Sequence, residues 1–460
     1  MDLVIGRGEW RRKRGAPVPW RQENCLLDEV KTDPKGWNIL SRPPLVSYAT
    51  RGSGPIEGAF QKPGLFNGDK FYVSDGTFYR EGASLGALDG TGEVIWAAGV
   101  EEIVVTRGAS AWSYNGTDLV AVAFPDGADV NSVHWMAHYF VYARKGSGRF
   151  YWSALDDGRT IDGLDFADAE SEPDELLDIA KMGDLFAMLG ANSVETWMLT
   201  GDQDLPWSRV SQRTFGRGIL SPGAKAEVAD ANTVYFVSSD GMVCRMSGDA
   251  PQRVSDSALE EDIKLADGVS CFFYQFEGKP YVAVRLEGVT TYVLDLVNGD
   301  MPSRFSTMGR DNWAPRCAIT VGGIPYFGDD SSADVWQFEE GATTDSGQTE
   351  MPRYFSAGLP GSGPLGISNV IVSGNNGSAT VETGESADPI LEMRCSRDGG
   401  RTFTDWRATR WGKMGDYRRR SRFGSCGMFS QPGFLAEFRM LACAPLRVER
   451  VGANESMAGR

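Results

Sequence analysis

Short runs of alternating apolar and polar residues fill most of the chain, and glycine, aspartate and asparagine interrupt them. Alternation with a period of two predicts β-strands that have one buried face. Amphipathic helix patterns are scarce, and residues 257–264 are a segment that could form one short helix. The pattern therefore predicts an all-β fold with little helix.

Pairs of these runs recur as hairpins. Asp75-Gly76 and Asp240-Gly241 are two of the turns, where glycine adopts a positive φ without strain. Seven hairpins begin near residues 69, 102, 138, 183, 232, 278 and 323. A hairpin repeat of roughly 40–50 residues is typical of propeller blades. We therefore predict a β-propeller of about seven blades, with six blades, a large sandwich or several small β-domains as alternatives.

The composition changes after about residue 341. Residues 341–366 are rich in Gly, Ser, Thr and Pro and are predicted to form a linker. Residues 367–460 contain further strand-like runs and are predicted to form a C-terminal β-sandwich-like domain. The expected organisation is a basic N-terminal arm at 1–42, the propeller at 43–340, the linker and the sandwich.

The formal net charge of −16 is unevenly distributed. Residues 1–42 carry +3 and residues 391–460 carry +7, which leaves −26 for the region between them. An acidic body repels nucleic acid, although a well-solvated surface explains this charge equally well. The basic ends are candidates for contact with a neighbouring protein or DNA, and the candidate residues are Arg11, Arg12, Lys13, Arg14, Arg418, Arg419, Arg420 and Arg422. A solvated edge strand is the alternative for the C-terminal cluster.

Seven cysteines are scattered without a C-x-x-C pair. This spacing predicts free thiols in a reducing cytoplasm. No apolar run approaches the ~18 residues of a membrane span, so no membrane insertion is expected. Residues 1–20 lack the apolar core of a signal peptide.

Residues that could carry chemistry are few. The two histidines, His134 and His138, have a spacing that suits a metal on a helix, but the apolar residues around them predict a strand. Residues 361–366 match G-x-G-x-x-G without the strand and helix that the motif requires. We therefore expect no metal, no cofactor and no catalytic residue.

Residues 396–403 match the Asp-box pattern S-x-D-x-G-x-T-[WF] of sialidase propellers. The carboxylate of Asp398 is expected to hold the backbone N–H groups of a hairpin turn. One copy indicates a structural turn, whereas a sialidase needs several copies, an arginine triad and a tyrosine nucleophile. A sialidase-like glycoside hydrolase and a propeller used as a protein-interaction scaffold stay the alternative functions.

Three groups of motifs occur in a characteristic order. They begin with Ile161-Asp162-Gly163-Leu164-Asp165-Phe166, continue with Ser239-Asp240-Gly241-Met242, and end with Gly412-Lys413-Met414-Gly415-Asp416-Tyr417-Arg418. In this order the chain resembles the packaged-DNA stabilisation proteins of short-tailed bacteriophages, the head-completion or tail-nozzle family. The resemblance covers roughly residues 40–453.

The resemblance implies a non-enzymatic virion protein of the tail, assembled in the host cytoplasm. It implies a hexameric ring beneath the portal and the head–tail adaptor, with a needle, fibre or spike as distal partner. DNA would pass through the ring without sequence specificity. Neutralising Arg418, Arg419 and Arg420 together is expected to weaken ring assembly or DNA retention.

Overall fold

The chain begins with short strands that lie outside the propeller. The computed structural model describes residues 1–7, 20–29, 37–169, 173–202, 205–361 and 363–454. The first four strands are β1 (Val4–Ile5), β2 (Gln22–Glu23), β3 (Cys25–Glu29) and β4 (Trp37–Ser41). They belong to the second domain described below.

Seven antiparallel four-stranded units follow in the described residues. The strands of the first three units and of the closing segment are β5 (Leu45–Thr50), β6 (Ile56–Phe60), β7 (Phe71–Ser74), β8 (Thr77–Arg80), β9 (Ala83–Ala87), β10 (Val94–Ala98), β11 (Ile103–Arg107), β12 (Ser110–Tyr114), β13 (Leu119–Ala121), β14 (Val130–Met136), β15 (Tyr139–Arg144), β16 (Arg149–Trp152) and β17 (Phe166–Asp168). Those of the remaining units are β18 (Leu176–Met182), β19 (Leu185–Gly190), β20 (Val194–Leu199), β21 (Trp207–Phe215), β22 (Lys225–Val228), β23 (Thr233–Val237), β24 (Val243–Met246), β25 (Gln252–Arg253), β26 (Val269–Phe276), β27 (Lys279–Leu286), β28 (Thr290–Asp295), β29 (Met301–Phe305), β30 (Pro315–Val321), β31 (Ile324–Asp329) and β32 (Asp334–Phe338).

These units are the blades of a propeller. Blade 1 is β6–β9, and each later group of four strands forms the next blade up to β26–β29 as blade 6. The first strand of each blade contacts the first strand of the next, and β30 of blade 7 contacts β6 of blade 1. The predicted β-propeller is confirmed, and the seven predicted hairpins are the second and third strands of the seven blades.

Blade 7 is completed by a strand from the other end of the chain. Strand β5 pairs antiparallel with β32, from Leu45 opposite Phe338 to Thr50 opposite Asp334. The first and last segments of the propeller thereby share one sheet, which closes the ring. Leu45 is fully buried in the core between blades 6 and 7 together with Trp313.

Two further sheets form the sandwich. Its C-terminal strands are β33 (Glu350–Pro360), β34 (Leu365–Gly374), β35 (Ile390–Ser396), β36 (Arg407–Arg410), β37 (Ser421–Phe429), β38 (Gly433–Ala442) and β39 (Arg447–Ala453). One sheet has the order β2-β33-β38-β35-β36, with β1 also on β33, and the other has the order β3-β4-β39-β34-β37. Their facing apolar side chains, such as Phe355, Trp411 and Phe438, form a single core.

The sandwich includes segments whose sequences did not indicate strands. Strands β1–β4 come from the region 1–42, for which a basic arm was expected. Strand β33 lies inside the expected linker at 341–366. Its two prolines and one glycine are separated by apolar residues, and Phe355, Ala357 and Leu359 pack into the sandwich core.

The two domains share one continuous sheet. Strand β29 of blade 6 pairs in parallel with β2, and β2 pairs with β33 of the sandwich. The side chain of Asn24 spans this junction, because its amide donates to the carbonyl of Pro352 (2.7 Å) and its oxygen accepts from Arg42 Nε (2.8 Å). The sandwich is therefore joined to blade 6 by backbone pairing as well as by side chains.

Helix is scarce, as the sequence predicts. The α-helix of the described residues is α1 (Ser257–Ile263), and Asp256 caps it by accepting from the backbone of Ala258 and Leu259 (3.0 and 2.9 Å). Short 3-10 segments lie at Phe66–Gly68, Pro125–Gly127, Ala229–Ala231 and Glu385–Ala387. No helix in the described part of the chain is long and apolar enough to cross a membrane.

Candidate assembly surfaces

The axis of the propeller is the first surface where DNA or a ligand could bind. Ion pairs cross it between blades that are not neighbours. Glu93, immediately before β10 of blade 2, pairs with Arg316 of blade 7 (3.1 Å). His134 of blade 3 lies 2.9 Å from Glu227 of blade 5, measured between Nε2 and Oε2.

The two axial carboxylates have opposite electrostatic environments. Burial tends to raise the pKa of Glu227, but the contacts with His134 and Lys225 outweigh burial and lower this pKa to about 2. Burial dominates at Glu93 and raises its pKa despite Arg316. The charged groups along the axis therefore include one strongly ionised carboxylate, Glu227, and one that binds a proton more readily, Glu93.

The space left along the axis is small. A cavity of about 330 Å³ lies between the inner strands of blades 1, 2, 5, 6 and 7. At roughly 30 Å³ per molecule, it would hold on the order of ten waters. A DNA duplex, whose major groove alone is about 12 Å wide, does not fit. Any path for DNA past this protein therefore runs outside the axis of the single propeller.

The second surface is the basic loop, residues 412–422, between β36 and the start of β37. It presents Lys413, Arg418, Arg420 and Arg422 at the protein surface, and none of these has an ion-pair partner among the described residues. Tyr417 is 73% exposed beside them. The loop therefore combines uncompensated positive charge with an exposed aromatic ring.

Hydrogen bonds hold the basic loop against the sandwich. Arg419 pairs with Asp416 (2.9 Å) and donates from Nε to the carbonyl of Arg410 (3.2 Å). The backbone N–H of Gly415 donates to the carbonyl of Gly377 (3.1 Å). Arg419 thus has a structural role in the loop, whereas the other three arginines are available to a partner.

The predicted basic residues fall into two groups. Arg418, Arg419 and Arg420 are brought together in the loop that precedes β37, and Arg422 is exposed on that strand. Arg11, Arg12, Lys13 and Arg14 lie outside the described residues. The contact roles predicted for both groups stay predictions.

The other sequence motifs lie at separate places. His138 is in the turn after β14 and its Nδ1 lies 2.7 Å from Asp156, so the two histidines have different partners. The motif at 361–366 lies where β33 ends and β34 begins, and a strand rather than a helix follows it. In the part of the chain that the structure describes, no group of three potential metal ligands occurs.

The Asp-box turn forms as its sequence predicts. Asp398 Oδ1 accepts from the backbone N–H groups of Arg401 and Thr402 (both 2.9 Å), and Oδ2 accepts from the Thr402 hydroxyl (2.7 Å). These hydrogen bonds lower the pKa of Asp398. The turn joins β35 to β36 of the sandwich and lies outside the blades.

A comparison with protein families identifies the propeller. The sequence profile of the family described as bacteriophage P22 Gp10, beta-propeller, matches residues 48–298. This match covers more than half of the chain. The chain belongs to this family. It is accordingly a structural protein of a bacteriophage, of the Gp10 kind, and a component of the virion.

Similarity to other known proteins is low. No curated protein matches the sequence. Among solved structures, the computationally designed Ika8 protein has 14% identity and a TM-score of 0.41, with 65% of this chain and 100% of that chain covered. BBS1N, solved in complex with ARL6DN, has 10% identity and a TM-score of 0.44, with 65% of this chain and 98% of that chain covered. At these scores neither structure adds to the assignment.

The sandwich of this Gp10-family chain has one further surface that the sequence did not indicate. The indole of Trp406 lies under two guanidinium groups, those of Arg394 (4.7 Å) and Arg439 (4.3 Å from the ring centre). Arg394 also pairs with Glu437, and Arg439 also pairs with Glu392. These residues come from distant parts of the sequence, so only the pairing of β35 with β38 brings them together.

Proposed function

We propose that this protein is a nozzle or head-closure component of a phage tail. In this proposal several copies, six in number, form a ring below the portal and the head–tail adaptor. The ring continues the DNA channel and retains packaged DNA, and a needle, fibre or spike binds at its distal end. The ring assembles on the head in the host cytoplasm.

The crossed propeller axis is the observation that carries this proposal beyond family membership. Because ion pairs such as Glu93–Arg316 block the axis of a single copy, a DNA channel requires a space between copies. A closed ring provides such a space at its centre. DNA passage would therefore require several copies arranged around a central space.

The charge of the propeller supports passage without sequence-specific binding. Residues 45–338 contain 22 Lys or Arg and 42 Asp or Glu residues, a net charge of −20. Phosphate groups bind chiefly to clustered positive charge, so a wall of this composition binds DNA weakly and lets it slide. Positive charge that could retain DNA is concentrated instead on the sandwich, at Arg418, Arg420 and Arg422.

Reconstitution on phage heads tests the proposal. Purified protein is added to heads that lack it, and the copies bound per head, their rotational symmetry and the DNA protected from nuclease are measured. We expect a six-fold ring and a rise in protected DNA. Protein that does not bind to the head vertex, or that binds as a single copy, would contradict the proposal.

A set of charge-neutral variants tests the basic loop within this function. We expect R418Q/R420Q/R422Q to reduce ring assembly or DNA retention by at least tenfold, because it removes the uncompensated charge and leaves Arg419 in place. The matched control, K145Q/K264Q/R213Q, removes three charges from the propeller, where Arg213 faces only the exposed Asp249 among the described residues, and should behave like the wild type. Normal, full particles from the loop variant would show that the loop has no such role.

A further inference from the structure

A loop of blade 3 has the opposite character to the basic loop. This acidic loop, residues 154–165 between β16 and β17, contains Asp156, Asp157, Asp162 and Asp165. Between Arg159 and Lys181 the sequence holds eight Asp or Glu residues and no Lys or Arg. The loop thus begins a strongly acidic stretch of the propeller sequence.

The acidic loop also exposes apolar side chains. Leu164 is 83% exposed and Leu155 is 57% exposed. Exposed large apolar residues surrounded by charge are typical of protein interaction sites. The basic loop has the same combination, because Tyr417 and Met414 (48% exposed) lie beside its arginines. Each loop therefore exposes apolar side chains together with charged ones, and the two loops carry opposite charges.

Both loops are held in place, so binding need not order them. In the acidic loop, Gly158 donates its N–H to Glu102 Oε2 (2.7 Å) and accepts at its carbonyl from the Tyr142 hydroxyl (2.6 Å). Arg159 reaches across to blade 2 and donates to the carbonyl of Asp118 (2.8 Å). A preformed loop loses less conformational entropy on association than a mobile one.

The two loops of one copy cannot meet. The sandwich extends from blade 6, and blade 3 lies three blades away, on the opposite side of a ring of seven. The basic loop follows β36, which is five strand spacings beyond β29 in the shared sheet, or about 24 Å. The two loops of one copy are therefore far apart.

From this arrangement we infer that the basic loop of one copy docks on the acidic loop of the next copy. The partner that binds the basic loop is then a second copy of this chain. Charge complementarity and contact of Tyr417 with Leu164 make the two loops specific for each other. Such a contact joins two different surfaces, so it repeats from copy to copy and closes into a ring where the rotation allows. The inference rests on the proposed function and specifies how its ring is built.

Charge reversal in both loops tests the contact. R418E/R420E/R422E and D162K/D165K each place like charges in the interface, and we expect each to reduce the copies bound per head at least tenfold. The two sets combined in one chain restore the opposite charges and should recover most of the binding. The control K145E/K264E/R213E, in which Arg213 faces only the exposed Asp249 in the described part of the chain, should bind like the wild type. A combined variant that binds no better than its parents would overturn the contact.

A cross-linking experiment keeps the test independent of the stability of those variants. Y417C and L164C copies are mixed on heads and treated with a short bifunctional thiol reagent. The expected product is a dimer that contains one copy of each variant, whereas the double variant Y417C/L164C should give a ladder of higher oligomers. Y417C alone and L164C alone should give no dimer. Assembly without the mixed dimer would refute the contact.

The outcomes separate this inference from the proposed function. If wild-type rings form and neither reversal changes them, the loop contact is wrong and the nozzle function stands. If the wild-type protein does not bind to heads at all, the proposed function fails and the loop contact fails with it.

Discussion

Arg42 and Asp345 form an ion pair in which both side chains are fully buried, with 2.8 Å between Nη2 and Oδ2. Asp345 also accepts from the backbone N–H of Leu45 (2.8 Å), the first residue of the closing strand β5. Arg42 additionally donates to Asn24 at the junction with the sandwich. One ion pair thus connects the ring closure to the second domain.

We expect D345N to destabilise the protein by about 3–5 kcal/mol, because it leaves the buried Arg42 without a counter-charge. The free energy of unfolding from urea titration measures this loss. D249N is the control, since Asp249 is 86% exposed and 3.9 Å from Arg213, and it should change stability by less than about 0.5 kcal/mol. Equal effects of the two substitutions would show that the buried pair is not important for stability.

The strands and turns that the sequence predicts correctly are those with a strong local pattern. Hairpins such as Phe71–Ser74 with Thr77–Arg80 were predictable, because alternation and an Asp-Gly turn are both encoded within a dozen residues. The positive φ of Asp75 and Gly76 confirms the turn. The inner strands other than the one around His134 were not predicted, although β22 and β26 alternate between buried and half-buried positions. The pairing of β5 with β32 joins residues almost 300 apart and has no local signal.

The candidate surfaces were predictable only in part. The cluster of Arg418, Arg420 and Arg422 is close together in sequence, so it was found; the structure places Arg418 and Arg420 in a loop and Arg422 on β37. Gly412 and Gly415, both with positive φ, favour the loop. The axial pair of Glu93 with Arg316 depends on blade order and could not be read from local sequence.

Closure of the ring should be sensitive to Leu45. We expect L45A to cost about 2–5 kcal/mol, because it opens a cavity in the core between blades 6 and 7 where β5 joins β32. The urea midpoint and the unfolding rate are the measurements. L85A is the matched control, since Leu85 lies on the outermost strand of blade 1, is only half-buried and takes no part in closure. If L85A lowered the stability as much as L45A does, the position of Leu45 at the ring closure would have no special effect on stability.

The Asp-box turn should contribute a modest, separable stability. We expect D398A to cost about 1 kcal/mol, because the backbone N–H groups of Arg401 and Thr402 lose their shared acceptor. D405A, in the same connection, changes an exposed carboxylate without a described side-chain partner and should be close to neutral. Thermal unfolding of the two variants measures the difference. A D398A protein as stable as D405A would show that the turn forms without its carboxylate.

The axial carboxylates predict opposite pH dependences. The lowered pKa of Glu227 means that the folded protein resists protonation there, so its contribution to stability is present above about pH 4.3 and is lost as the pH falls towards 2. The raised pKa of Glu93 means that the folded protein binds a proton more readily than the unfolded chain does. Its favourable contribution is present at low pH and is lost as the pH rises through the raised pKa.

Two variants make these signs measurable. The side chain of Glu227 is about one quarter exposed, so solvent screening limits its contribution to about 1–3 kcal/mol. E227Q should therefore be less stable than the wild type by this amount at pH 6, and the difference should shrink as the pH falls from about 5 to about 2. E93Q should gain stability relative to the wild type as the pH rises from about 4 to 7, because glutamine cannot lose a proton. Urea titrations at four pH values give the difference in stability between each variant and the wild type. If this difference changed with pH in the same direction for E227Q and E93Q, Glu227 and Glu93 would not have opposite electrostatic environments.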